Sequence, residues 1–220
     1  MVSLKVLTNT KNMTSQNIDI YQIRYERYQE RKRKLLDGEI DYIDHKEELD
    51  SYAFTEIVKN RVSQRKFNNK PIDENELFYI KQVIINTPSS CNRQAVQIKI
   101  VAGEDKKELE ELLVGGKEWM GAADKIILLL ADMEAYKSPT EVDFMPYLDA
   151  GFIGMSVYYA TTAIGIGCCF VNPNIREKNK DRFKKYSGDY RFCGAIAIGN
   201  YDKKGFLSTK DDNIFTGICT

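Results

Sequence analysis

Two short blocks carry residue types whose spacing could do chemistry. Arg61-Val62-Ser63-Gln64-Arg65 sets two guanidinium groups and a hydroxyl at alternate positions. Side chains at i, i+2 and i+4 of an extended segment point to one face, so Arg61, Ser63 and Arg65 can close on one anion. Guanidinium forks bind phosphate bidentately and stay charged at any working pH. Downstream, Pro88-Ser89-Ser90-Cys91-Asn92-Arg93-Gln94 is a polar loop with hydroxyls at Ser89 and Ser90 and carboxamides at Asn92 and Gln94. Such a loop suits a flat heterocycle edged with N–H and C=O groups.

The elements that must position these blocks can be read from periodicity. Residues 17–36 read as a helix with Tyr21, Tyr25, Tyr28 and Leu35 as its apolar stripe. Its run Arg31-Lys32-Arg33-Lys34 suits a solvated face near a helix C-terminus, stopped by Asp37-Gly38. A short acidic helix is expected over 41–49, and another from a Ser51 cap through Val58. Pro71 to Asn86 is the clearest helix: Asp73 and Glu76 have capping-box spacing, Leu77, Ile80 and Ile84 form the inner face, and Pro88 ends it. Val96, Ile98 and Ile100 alternate as a strand, and Glu104 to Val114 returns as a helix before Gly115-Gly116. Ile126–Leu130 reads as a strand buried on both faces, followed by an irregular polar stretch over 132–145.

Tyr147 to Ala163 is apolar almost all the way round, which predicts an internal helix. Its small residues (Ala150, Gly151, Gly154, Ala160) let another backbone come close; a buried helix and a dimer-forming one both fit. The glycines of Ile164-Gly165-Ile166-Gly167 follow a helix rather than a strand, so they read as a stop and not as a dinucleotide loop. A strand at Cys168–Val171, a basic helix over Ile175–Tyr186 and a strand at Phe192–Ile198 complete the series.

The two blocks together resemble the FMN-dependent nitroreductase family. The likeness runs from about Phe54 to the C-terminus and includes Asp149-Ala150-Gly151 opening a long apolar helix and Ala195-Ile196-Ala197-Ile198-Gly199 as a core strand. It implies an α+β fold with a central, mostly antiparallel sheet flanked by helices, and a homodimer with FMN at the interface. Arg61, Ser63 and Arg65 would come from one protomer, and Pro88, Ser89, Ser90 and Asn92 from the other. Gln94, Asn172 and Lys210 join the implied cofactor contacts, with Lys210 on the phosphate. Arg65, with Lys117 as a second candidate, would lie near flavin N1 and O2. Departures are also visible: Val62 replaces a second basic residue, Ala95-Val96 a Pro-Trp pair, Phe170-Val171-Asn172-Pro173 a stretch that offers a glycine N–H, and Trp119 a lysine.

The implied activity is hydride transfer from NADH or NADPH through FMN to a flat, electron-poor acceptor (quinone, nitroaromatic or flavin), in ping-pong order. The flavin carries that redox chemistry, so no certain catalytic side chain is needed. Two other readings stay open: a non-catalytic flavin binder that acts through its N-terminal helices, and an interaction domain with no cofactor.

Bulk properties bound these readings. The 220 residues are 43% apolar, with 32 basic against 32 acidic residues, which argues against wholesale binding to nucleic acid or to an anionic membrane. No apolar run approaches the roughly eighteen residues of a membrane span, and residues 1–11 lack a secretory core. Five cysteines without a Cys-x-x-Cys fit a reducing cytoplasm, and the lone His45 argues against a zinc site or a histidine triad. The expected organisation is a helical N-terminal extension, 1–50, and an FMN-binding domain, 51–220.

Overall fold

In the computed structural model of the chain, the described residues are 20–39 and 51–205. The helix expected at 41–49, His45, Lys210 and the side chains of Tyr21, Tyr25, Tyr28 and Leu35 lie outside them. The element order is α1 (Ile20–Leu36), α2 (Ser51–Asn60), α3 (Glu74–Ile85), β1 (Val96–Val101), α4 (Asp105–Leu112), β2 (Lys125–Ala131), α5 (Met145–Ala163), β3 (Gly167–Val171), α6 (Lys180–Ser187) and β4 (Arg191–Gly199).

The four strands form one antiparallel sheet in the order β1-β2-β4-β3. Alternation along the central strands sorts their side chains into two apolar layers. Ile127 and Leu129 of β2, with Ile196 and Ile198 of β4, face α3 and α5. Ile126, Leu128 and Leu130, with Ala195 and Ala197, face α4 and α6, where Leu109, Leu112 and Phe183 are fully or almost fully buried. The result is an α+β fold with helices on both faces of the sheet, as the resemblance implied. No helix among the described residues is long and apolar enough to cross a membrane.

Local sequence accounts for several boundaries. The capping box forms as written: Asp73 Oδ1 accepts from the Glu76 N–H at 2.8 Å, and Glu76 Oε2 accepts from the Asp73 N–H at 2.9 Å. A β-bulge interrupts the β2–β4 register, with Leu129 opposite Gly194 but Leu130 opposite Phe192. Gly194 adopts φ +151°, and a Cβ there would lie 2.3 Å from the Phe170 ring. Gly154 of α5 meets the same ring, where a Cβ would come within 2.9 Å. The two glycines are therefore the seat of Phe170.

Two expectations change. The segment 175–186 is not one helix: Ile175 bridges to Leu113, residues 177–179 make a single 3₁₀ turn, and α6 starts only at Lys180. Its first half is occupied in closing the end of α4. Asn179 Nδ2 donates to the Glu111 carbonyl at 3.0 Å and Arg176 to the same carbonyl at 2.8 Å, which satisfies acceptors that a helix end leaves unpaired. Nor is α5 covered all round. Phe144, Leu148, Phe152 and Met155 leave an exposed apolar stripe along it, with Leu148 46% exposed.

Candidate functional site

After α2 the chain runs without regular structure along β3, where the Gln64 N–H donates to the Cys168 carbonyl at 2.9 Å. Gln64 points inward and is buried. Its Nε2 donates to the Lys66 and Lys203 carbonyls at 2.6 and 3.2 Å, and its Oε1 accepts from the Gly205 N–H at 2.8 Å. That anchor turns the neighbouring odd-numbered residues the other way. Ser63 Oγ lies 3.1 Å from the Tyr158 hydroxyl, which accepts from the Phe170 N–H at 2.9 Å. The Arg61 guanidinium lies over the Tyr158 ring, 5.0 Å from its centroid, and that of Arg65 lies over Trp119 at 5.8 Å. Neither arginine has a carboxylate within ion-pair distance among the described residues. Cys169 borders the group: burial pushes its thiol up, against the pull of the Arg65 and Arg61 charges. Burial also pushes the Tyr158 phenol up, so it keeps its proton at neutral pH.

The second block is a tight turn beyond α3. Cys91, Asn92 and Gln94 all have φ near +51° to +52°, a region that non-glycine residues occupy at a cost of order 1 kcal/mol or more. Hydrogen bonds hold it there. Gln94 N–H donates to Ser89 Oγ at 2.9 Å, and the Ser90 N–H and Oγ–H both donate to Asp149 Oδ1, at 2.8 and 2.9 Å. Asp149 is only 1% exposed. Its other oxygen accepts from the Tyr136 hydroxyl at 2.9 Å. Burial, then the Asp149 charge, push the Tyr136 phenol far above its usual range, so that O–H stays a donor. Beside the turn a cleft of about 250 Å³ is lined by Ile84, Pro88, Ser89, Gln94, Ile98 and Ile153. On its outer side, α1 lies against residues 90–92.

The chain thus gathers Arg61, Ser63 and Arg65 in one group, and Pro88, Ser89, Ser90, Asn92 and Gln94 in another. It does not bring the two groups together. Ser63 is tied to Tyr158 and Ser90 to Asp149, and nine residues of α5 separate these anchors. At 1.5 Å and 100° per residue, they are roughly 13 Å apart along the axis and about half a turn apart around it. Asn172 is exposed beyond the end of β3, where its Oδ1 accepts from the Asn174 N–H at 2.9 Å. Lys117 is exposed in the loop that presents Trp119.

Tyr158 and Tyr136 escape sequence reasoning, because nothing distinguishes them from packing tyrosines. Asp149 has a usable signal: a carboxylate inside an all-apolar helix must find donors or stay in water.

Relatives agree with this fold. The FMN reductase [NAD(P)H] of Bacillus subtilis is 26% identical over 117 residues, 51% of this chain and 47% of that protein. The chain therefore spans about half the length of the curated relative it matches. A nitroreductase family protein from Streptococcus pneumoniae superimposes with a TM-score of 0.66 at 20% identity, covering 75% of this chain and 100% of that one. A nitroreductase with bound FMN from Desulfitobacterium hafniense gives 0.59 at 18% identity, covering 76% and 98%. Residues 53–216 match the family described as "Putative TM nitroreductase". The chain belongs to the nitroreductase family.

Proposed function

We propose that the chain is an FMN-dependent oxidoreductase that takes hydride from NADH or NADPH and delivers it to a flat, electron-poor acceptor such as a quinone, nitroaromatic or free flavin. The observation that carries this reading is the pair of guanidinium groups at Arg61 and Arg65, without a carboxylate partner among the described residues and flanking the Ser63 hydroxyl. Such a cradle fits a phosphate monoester. The Ser89–Gln94 turn and its cleft fit the edge of a flat ring, with Asn172 and Lys210 as further contacts from the resemblance. When bound, FMN supplies the redox chemistry. The chain's own part is to hold the phosphate with Arg61, Ser63 and Arg65 and to keep the turn rigid through Asp149.

A homodimer completes this site. Asp149 and Tyr158 stand on opposite rims of the buried face of α5, and the exposed stripe of Leu148, Phe152 and Met155 lies between the rims on the outer side. A second copy packed on that stripe about a two-fold axis would bring the Ser90 turn of one protomer toward the Arg61 group of the other. We place residues 1–50 as a helical extension of the FMN-binding domain, 51–220. The four described cysteines are free thiols, which suits a reducing cytoplasm.

The purified protein is expected to be yellow, dimeric, and to release FMN on heating. It should oxidise NADH or NADPH only with added acceptor, with parallel double-reciprocal lines. Released FAD, or no flavin, would overturn the reading. A second reading, a non-catalytic flavin binder, gains support from α1 lying on the Ser90–Asn92 turn; bound FMN that neither nicotinamide reduces anaerobically would establish it.

A further inference from the structure

The two arginines of the anion cradle are held in an uncommon way. A carboxylate would fix a guanidinium by occupying its edge N–H groups and cancelling its charge. Here each guanidinium lies over an aromatic face instead, Arg61 on Tyr158 and Arg65 on Trp119. A cation–π contact at 5.0 or 5.8 Å restrains the side chain without cancelling the guanidinium charge.

Tyr158 does a second thing. Its oxygen already accepts the Phe170 N–H at 2.9 Å, and Ser63 Oγ lies 3.1 Å away. Accepting one hydrogen bond strengthens a hydroxyl as a donor of the next. The chain of bonds links the Phe170 N–H, the Tyr158 hydroxyl and Ser63 Oγ, with either hydroxyl able to donate in the last bond, so Tyr158 fixes the place of the Ser63 hydroxyl at the cradle. The seat of Phe170 between Gly154 and Gly194 fixes the start of this chain.

We propose that Tyr158 and Trp119 are positioning residues of the phosphate site: they pre-set Arg61, Ser63 and Arg65 as unneutralised donors that select a phosphate monoester over its neutral alcohol. This deepens the FMN reading and rests on it. Trp119 is presented by a loop that Glu110 closes, its carboxylate accepting the N–H groups of Glu118 and Gly121, so the ring has a defined place.

The test compares FMN with riboflavin, which lacks the phosphate, by fluorescence titration of the flavin-free dimer. Tyr158→Phe keeps the ring and loses the hydroxyl; Tyr158→Leu and Trp119→Leu lose the rings. FMN affinity should fall about three- to tenfold for Tyr158→Phe and for Trp119→Leu, and about ten- to thirtyfold for Tyr158→Leu. Riboflavin affinity should change less than about twofold, since the phosphate contacts are absent. The loss in Tyr158→Phe measures the hydroxyl, and the further loss from Tyr158→Phe to Tyr158→Leu measures the ring. FMN affinity unchanged in folded Tyr158→Phe and Trp119→Leu proteins would overturn the proposal, and so would an equal loss for both flavins. Wild-type protein that binds neither flavin would instead remove the FMN reading, and this inference with it.

Discussion

Replacing Asp149 with alanine strips three hydrogen bonds from one buried carboxylate, takes the acceptor from the Ser90 N–H and the Tyr136 hydroxyl, and leaves the Ser90 hydroxyl only the Met145 sulfur at 2.6 Å. A buried donor left without a partner costs about 1–3 kcal/mol, and breaking a buried network reaches the upper end of single-site effects. Part of this is offset, because a carboxylate with no cation bonded to it no longer has to be desolvated. We expect Asp149→Ala to lose about 3–4 kcal/mol. Asp149→Asn retains an oxygen for Ser90 and lets the Tyr136 hydroxyl turn to accept, so its expected loss is about 1–2 kcal/mol. For a chain of this length, 1 kcal/mol moves Tm by roughly 2–4 °C, which puts the alanine variant about 6–16 °C below wild type. The assay is thermal and urea unfolding of the flavin-free protein, with Tyr136→Phe and the double variant alongside. The Tyr136 and Asp149 losses should fall short of additive by at least about 0.5 kcal/mol, as directly bonded partners do. An Asp149→Ala Tm within about 2 °C of wild type, or strict additivity, would refute the claim that this carboxylate holds the turn.

Other outcomes follow from single features. Arg61→Ala should weaken FMN binding about ten- to a hundredfold, the scale of a hydrogen bond to a charged group, as read by flavin titration. Gly194→Ala drives a methyl into the Phe170 ring from a backbone that disfavours a side chain, so stability should drop by about 2–4 kcal/mol in urea melts. Among the described cysteines, mass-mapped alkylation should label Cys91 first, since it is exposed. Cys193, buried and with its thiol pushed up to about 11 chiefly by that burial, should react only on unfolding or at strongly alkaline pH, where the thiolate forms. Deleting residues 1–50 should leave a folded, FMN-binding domain in which Cys91 labels faster, because α1 no longer lies against its turn.

What the sequence disclosed depended on the range of the interaction responsible. Asp73 and Glu76 stabilise each other over three residues, and their capping box is readable at sight. β2 is a run of apolar residues between charges and needs no partner to be recognised, though its division into two faces becomes meaningful only when α3 and α6 are placed. The break at residues 175–179 was invisible because its cause lies at Glu111 and Leu112, more than sixty residues earlier. The same holds for the candidate site. Arg61, Ser63 and Arg65 announce an anion by type and spacing. Tyr158 acquires its part only because β3 places the Phe170 N–H against it, and Tyr136 only because the polar stretch after β2 folds back on Asp149.

The nine-residue interval on α5 has a consequence for how this chain can change in length. One residue inserted between Asp149 and Tyr158 would turn one anchor by about 100° and slide it about 1.5 Å relative to the other, swinging either Ser90 or Ser63 out of register. No compensating insertion elsewhere could restore both. Residues 132–144, which join β2 to α5, are held by the Tyr136–Asp149 bond, by Glu141 on Arg93 at 3.1 Å and by the Val142 carbonyl on Arg191, and the segment between Tyr136 and Glu141 is the part that can change in length. Lengthening that segment leaves the interval between the anchors untouched. Libraries that seek new acceptors should vary length there and hold α5 to its present count.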